Sequence, residues 1–543
     1  MAATTYALEH FYYGKLVRSG KAEGDMRLLA KSPRVTDEQI AEAVRIALLP
    51  PLSGVAQGAW AIVRGKGVPF IMVQSAVGNV GQAVLHFVLI PGDVARSLGG
   101  NLKALMTLVD DEMPTFDRLG SLETIVLPQP EPPSYEQQTD DLLNLMTYTK
   151  NKIPTIESLV AAIVEGVPIV VQNAPRDLAQ RVGFVEGLLA MLPASARFGV
   201  TFTTHAPANS KVDAQIRFYA ENIVPPNNVM VYDWASGELS GKDAEDDYSH
   251  FIISQLRLDA GLVIEQTSAL TNIASWRIKR GDRLSDALKY AAYRLKVDDA
   301  LRNGQPVEAE DVSKILVEDP TLSEDQKRMY SLHLLSFALA LGDMSHALPV
   351  AISLRQNPEL EREVIVQMAT ALRDGKTQLI YETLFDWLED PVGPQGMKWV
   401  ELLHHAALLH LDTLVKSGDA AAVNEMLERA VRSDAAVSMS KIIPRMIELS
   451  LPLTARDPGL AMSVMGLAIQ YLNNETLRQL LSTKPFRAAL PKPLELFGMA
   501  LEGARVTQEF MALNLPMPED SKPTRRGTGI LNPDALEDAQ RKR

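Results

Sequence analysis

The sequence predicts an α+β protein, with two small α/β domains in front of an all-α, helical-repeat, solenoid-like half. Three observations predict it. Residues 6–110 carry strand and helix patterns in the order β-β-α-β-β-β-α. Residues 151–205 alternate helix and strand, the mark of a parallel or mixed sheet. From about residue 248 to residue 515 every periodic pattern is helical. The predicted boundaries are 1–127 for the first α/β domain, 128–150 for a proline-rich linker and 151–247 for the second α/β domain. The helical array then spans 248–515, and a polar, basic tail over 516–543 reads as disordered.

Residues 10–17 (HFYYGKLV) are aromatic and β-branched, hence a strand, with 27–31 as its partner. Thr36 and Gln39 stand at capping-box spacing, and Ile40, Val44, Ala47 and Leu48 continue as a helical face until Pro50 and Pro51. Residues 59–63 and 68–74 flank Arg64-Gly65-Lys66-Gly67, which suits a hairpin turn. Residues 84–90 (VLHFVLI) are apolar on both faces and predict a central strand. A helix follows Pro91, broken at Gly99-Gly100. Four prolines within 128–133 force extended geometry.

In the second domain Thr155 is the expected cap of a helix over 156–165, followed by a strand at 167–172. A helix over 176–192 and a strand at 198–204 come next, with edge strands at 216–219 and 228–232 and an acidic loop at 238–247. In the array the turns at Gly342, Gly375 and Gly418 are spaced 33 and 43 residues apart, and an amphipathic helix follows each. Stacked helix pairs fit this spacing, with a non-repeating bundle as the alternative.

Composition narrows the function. Apolar residues make up 46% and charged residues 22% of 543, as in ordinary globular chains. The net charge of −13 argues against a nucleic-acid partner, which needs a local excess of Lys and Arg. With no cysteine there is no disulfide, thiolate metal site or thiol nucleophile. The N-terminus lacks the basic and apolar segments of a signal peptide, and the longest apolar runs, such as 406–411, are too short to cross a bilayer. A cytoplasmic location and no transmembrane segment are expected.

Chemical motifs are sparse. Gly375-Lys376-Thr377 ends like a phosphate loop but lacks the opening glycine, with Thr370 in its place. Gly65-Lys66-Gly67 reads as the hairpin turn. His404, His405 and His410 lie near Glu401, but HExxH spacing is absent and His410 falls about 140° around the helix from His405. His86 reads as a hydrogen-bonded sheet histidine. His205, after a strand end, is the better-placed candidate base. Ser53, Ser75 and Ser236 have no nucleophile elbow around them. Asp243, Glu245, Asp246 and Asp247 lack the ligand spacing of a calcium loop. Arg18, Arg34 and Arg64 lie in or beside loops of the first domain and Arg176 starts a helix; a loop arginine can complete another protein's phosphate site. No cofactor and no metal are expected.

The element order of residues 6–109 resembles longin-type domains. The run from IESLVAAIVEGVPIVVQ to FGVTFTT resembles the second lobe of DENN-type regulators of small GTPases. The whole is similar to the N-terminal domains of the bacterial GTPase-associated protein family, on the histidine-containing run VLHFVLI at His86 and on Leu192-Pro193 and Phe202-Thr203. The resemblance covers residues 6–235 and implies a non-enzymatic regulator or scaffold whose protein partner is a small GTPase or similar switch protein. It carries over a domain type and no catalytic residue. If hydrolysis is accelerated, Arg18, Arg34 or Arg64 is the candidate finger. Two alternatives stay open. One is a hydrolase using His205 with Asp177 or Asp213. The other is a helical-repeat scaffold without a GTPase partner, its α/β domains a cap or oligomerisation unit. Homo-oligomerisation is left open.

Overall fold

The computed structural model describes residues 5–52, 57–127, 131–207, 212–220, 223–345, 347–355, 357–433, 439–489 and 508. The expected tail at 516–543 and Ser53 lie outside the described residues. The chain divides into two units, Met1–Val297 and Asp298–Arg543.

The front unit begins β1 (Tyr6–Arg18), β2 (Lys21–Lys31), α1 (Asp37–Ala47), β3 (Ala59–Arg64), β4 (Phe70–Val77), β5 (Ala83–Ile90), α2 (Gly92–Leu98) and α3 (Leu102–Met106), the order the patterns predict. Short strands β6 (Gly120–Ser121) and β7 (Ile125–Leu127) follow. Thr36 Oγ1 accepts from the Gln39 amide at 3.2 Å and Gln39 Oε1 accepts from the Thr36 amide at 3.0 Å, so the capping box starts α1 as expected. Its buried face is Ile40, Ala43 and Ala47, while Leu48 is 48% exposed. The uniform apolarity of β5 has a simple cause. Leu85, Phe87 and Leu89 pack under α1 with Val35 and Ile40, and Val88 and Ile90 pack on the other face with Val94 and Leu98 of α2.

The linker ends earlier than its prolines suggest. Ser134 Oγ accepts from the Gln137 amide at 3.1 Å and starts α4 (Tyr135–Tyr148), so 135–148 is helix where linker was expected. Leu142 and Leu145, three residues apart on one face, bury it against the main core. After α5 (Ile153–Glu165) come β8 (Ile169–Gln172), α6 (Leu178–Ala190), α7 (Ala194–Arg197), β9 (Phe202–Ala206), β10 (Ile216–Tyr219), β11 (Met230–Asp233) and β12 (Glu238–Gly241). Thr155 is not the cap of α5. That helix starts at Ile153, with Pro154 in its first turn. Nor is the acidic loop free of structure, since β12 occupies its first four residues. Helices α8 (Asp247–Leu256) and α9 (Ala260–Arg280) follow, and α10 (Leu284–Arg302) begins in this unit and runs past its end at Val297.

The largest departure from the sequence reading is that the front unit holds one sheet, where two were expected. Its strand order is β12-β11-β8-β10-β9-β3-β4-β5-β1-β2-β6, with β7 paired to β1. The residues 216–219 expected at an edge sit inside, parallel to both β8 and β9. The two halves join where β3 runs antiparallel to β9, through Ala61↔Thr203 and Ile62↔Phe202. One side chain extends that short ladder. Thr204 Oγ1 accepts from the Trp60 amide at 2.8 Å and donates to the Trp60 carbonyl at 2.9 Å. At the far rim β6 pairs only with Ala30 and Lys31, and the rest of β2 bears Lys21, Glu23 and Asp25 around Gly24 at φ +75°.

The second unit contains helices only, among the described residues. Its turn glycines Gly342, Gly375 and Gly418 have φ of 75°, 86° and 78° as helix-terminating residues, which explains their recurrence in the sequence. The helices Thr377–Glu389 and Ala420–Arg432 start where those turns predict.

Thr204→Val keeps the shape of the seam side chain but leaves the Trp60 amide and carbonyl without their partner. A loss of about 2–4 kcal/mol is expected in urea titration, against about 1 kcal/mol for Thr204→Ser, which keeps the hydroxyl.

Candidate functional site

Four parallel strands and a set of antiparallel ones place their ends on two opposite rims of the front sheet. Arg64 ends β3 on the rim shared with the starts of β9 and β10. Its guanidinium donates to the Gly199 carbonyl at 2.8 Å, and the side chain stays exposed. Beside it opens a groove of about 580 Å³, lined among others by Glu165, Gln215, Asp282 and Arg283. That volume lies in the range of ligand and peptide sites. The groove is amphoteric. Arg64 and Arg283 contribute positive charge, Glu165 and Asp282 negative, and α5 ends there with its carbonyls.

The three candidate fingers do not converge. Arg34 follows β2 on the same rim as Arg64, but four strand spacings away, roughly 19 Å. Its amide donates to Glu9 Oε2 at 3.2 Å and its side chain is exposed. Arg18 ends β1 on the opposite rim, where its Nε donates to the Asp117 carbonyl at 3.4 Å. Of the three, Arg64 lines the groove just described.

His205 sits in β9, half-buried, with its Nδ1 unpartnered. Burial, and then the charge of Arg181, lower its pKa. Arg181 is itself buried, donating to the carbonyls of Pro175, Ala174 and Thr204. Neither proposed acid is bonded to His205. Asp177 caps α6 through the Ala179 amide at 3.0 Å. Asp213 precedes β10, on the other rim, 3.4 Å from Arg217. A cation, and no described carboxylate, is thus the charge His205 feels.

The remaining motifs have structural occupations. The amides of Lys66 and Gly67 both donate to the Glu42 carboxylate and lower its pKa, so an internal anion fills that turn. Lys376 Nζ donates to the Leu339 carbonyl, and Asp246 caps α8 through Tyr248 and Ser249 amides. Asp247 pairs with Lys289 at 2.7 Å. Ser75 is buried, and Ser236 is exposed with its carbonyl accepting from Lys152. His405 is exposed while His410 is buried 5.5 Å from the Tyr381 ring, apart from each other as the helical period predicts. Among the described residues no group of three His, Asp or Glu is placed to hold a metal, and no helix is long and apolar enough to cross a membrane.

Two buried networks were not anticipated. In the first, His86 stacks on Tyr12 with ring centroids 4.3 Å apart. Its Nε2 lies 3.0 Å from His10 Nδ1 and its Nδ1 lies 3.0 Å from Asp110 Oδ2, the latter a charge contact and not an aligned hydrogen bond. In the second, Lys103 of α3 lies 2.9 Å from Asp141 of α4 and 4.0 Å from Glu186 of α6. Burial, then the neighbouring Asp141, push the Glu186 carboxyl up to about 7. Burial also raises Asp141, against the pull of Lys103. Helices α4 and α6 can approach this closely because residue 187 is glycine. A Cβ there would lie 2.5 Å from the Leu145 Cβ.

Comparison with protein-family models finds no match, and neither does comparison with curated proteins.

Glu186 makes stability pH-dependent. Its folded pKa of about 7 lies above its ordinary 4.5, so its contribution is complete below pH 4.5 and is lost as pH rises through 7. Glu186→Gln, with similar shape and no charge, is expected to remove this loss. The variant's urea midpoint should exceed that of the parent at pH 8, by up to about 3 kcal/mol in stability, and approach it at pH 5.

Proposed function

We propose that this chain is a non-enzymatic interaction protein of the bacterial cytoplasm. Its front unit docks a small GTPase or a similar switch protein, and its helical half, a solenoid-like array, supplies a second surface that scaffolds the complex. The observation that carries this reading is Arg64: an exposed arginine, steadied through one carbonyl, on the rim of a groove with charges of both signs. An arginine held this way offers its remaining donors to carboxylate or phosphate groups of a partner at little entropic cost. The longin-like and DENN-like layout of residues 6–235 supports the same partner class.

The mechanism is conformational. A surface that prefers one nucleotide state of a switch shifts that switch by the difference in affinity, about 1.4 kcal/mol for each factor of ten. The surroundings of His205 do not favour the hydrolase alternative, since a base needs a carboxylate or substrate where Arg181 supplies positive charge.

The test is retention of a GTPase from the same genome, loaded with GDP or with a non-hydrolysable GTP analogue, on the immobilised full chain. Retention of one state in preference is expected. Arg64→Ala should weaken it about tenfold or more, as for loss of a charged hydrogen bond, and Arg18→Ala, on the opposite rim, should leave it unchanged. Equal retention of both states, or none, would discard the reading.

A further inference from the structure

The groove beside Arg64 has an apolar neighbour. Behind Phe198 lies a partly open hollow of about 40 Å³, lined among others by Ile62, Phe70, Ile90, Leu98 and Leu189. Phe198 and Val200 line this hollow and the groove alike. Of the hollow's walls, Gly100, Asn101 and Phe198 are half-buried and the rest are buried, so its mouth lies among those three. Its charged wall residue, Arg197, is already bonded to the Leu192 carbonyl at 2.8 Å and to Gln138 Oε1 at 2.6 Å. Asn101 is occupied by the Ala104 amide, as the cap of α3, and by the Glu131 carbonyl. What the hollow offers is mostly hydrocarbon.

Strand geometry sets this socket beside Arg64. Ile62 and Arg64 share one face of β3, about 7 Å apart along the strand. Phe70 of β4 stands opposite Arg64 in the ladder, and its ring meets the Phe198 ring edge to face, with centroids 6.3 Å apart. The Arg64 guanidinium donates to the carbonyl of Gly199, next in the chain to Phe198. A Cβ at Gly199 would lie 2.8 Å from Arg64 Nη2, so this approach needs glycine. Charge at the site is unbalanced in one place. Arg283 is taken by Asp286 at 2.9 Å, whereas Arg64 has a carbonyl and no carboxylate among the described residues. Glu165 and the carbonyl end of α5 face the same groove, and their negative field favours a singly charged anion over a doubly charged one.

We propose that Arg64 and the socket behind Phe198 form a two-point dock for a partner segment carrying a short branched aliphatic side chain beside a carboxylate. The dock rests on the reading of the Arg64 groove as a docking surface, whether or not the partner is a GTPase. The socket sets the size of the anchor. Its volume of about 40 Å³ exceeds a water's share of the liquid, about 30 Å³, and falls far below the roughly 150 Å³ that holds a benzene ring. A valine side chain or the tip of a leucine fits it, and an aromatic ring does not. Arg64 sets the charge, a single carboxylate. An extended segment places side chains i and i+2 on one side about 7 Å apart, the spacing of Ile62 and Arg64. An anchor in an apolar pocket next to an arginine is the arrangement that concentrates binding energy in few residues.

The probes are end-blocked peptides Gly-Xaa-Gly-Asp-Gly, with Xaa alanine, valine, leucine or phenylalanine, titrated against the full chain by saturation-transfer NMR. Valine or leucine should bind about tenfold more tightly than alanine, as for two or so buried methylenes, and phenylalanine no better than alanine. Replacing the peptide's aspartate by asparagine should cost the parent chain about tenfold and the Arg64→Ala chain nothing further. Phosphoserine in place of the aspartate should bind more weakly. Ala95 lines the socket, and Ala95→Val fills it. In that variant the valine and leucine peptides should fall to the alanine level, while the difference between aspartate and asparagine stays. No binding by any peptide, affinity indifferent to Xaa, phenylalanine the tightest, phosphoserine preferred, or a valine preference that survives Ala95→Val would each overturn the dock. A mere packing gap would give the last of these. The side-chain series on the parent chain decides the matter even if Ala95→Val does not fold. GTPase retention separates the two readings. Retention that Arg64→Ala weakens and Ala95→Val leaves alone overturns the socket and keeps the GTPase; selective peptide binding with no GTPase retained does the reverse.

Discussion

The front unit depends on one hydroxyl group and two residue pairs. The β3–β9 ladder is short, and Thr204 lengthens it by standing in for a backbone partner to Trp60. Without that seam the chain would hold an antiparallel sheet and a parallel one, each with an open edge in apolar surroundings. Buried backbone groups must find partners, so such edges are costly. The seam removes both edges at once. It also creates the groove, because Arg64 leaves β3 on one side of it while Gly199 approaches β9 on the other. A surface composed from both halves is stiff in a way that two linked domains are not.

Polar groups within the unit follow a consistent division. Those inside are tied to the chain itself: Arg181 to three carbonyls, Arg197 to the Leu192 carbonyl and the Gln138 side-chain oxygen, and Asp141 to Lys103. Low dielectric makes such groups expensive without partners. The Arg64 guanidinium, by contrast, is exposed on a rim with one carbonyl as its partner.

Element identity was legible because it rests on local signals. The capping box at Thr36, the turn glycines of the array and the apolar run of β5 all act over a few residues. Assembly was not. Nothing in residues 59–63 or 202–206 states that they pair across some 140 positions, so two sheets were expected where one forms. The same limit hid the buried networks. His10, Tyr12 and His86 lie on one face by the two-residue period of strands, but only the β1–β5 register brings them together. His86 was recognised as a bonded sheet histidine, and its partners could not be named. Tyr135–Tyr148 was lost to the linker because prolines upstream outweighed a modest apolar stripe. Of the candidate residues, Arg64 comes to line a groove. Arg18 and Arg34 share its chemistry but not its surroundings, and surroundings are a tertiary property.

The outer rim of β2 has a consequence for how the protein behaves at high concentration. Strand β6 shields only Ala30 and Lys31, so a stretch of backbone donors and acceptors faces outward. A flat rim of this kind would template stacking of one molecule on the next. Here Gly24 sits at positive φ, and Lys21, Glu23 and Asp25 place hydrated charge where a neighbour would have to press. A positive-φ glycine and charged side chains along an edge strand are the devices that disfavour edge-to-edge stacking of sheets.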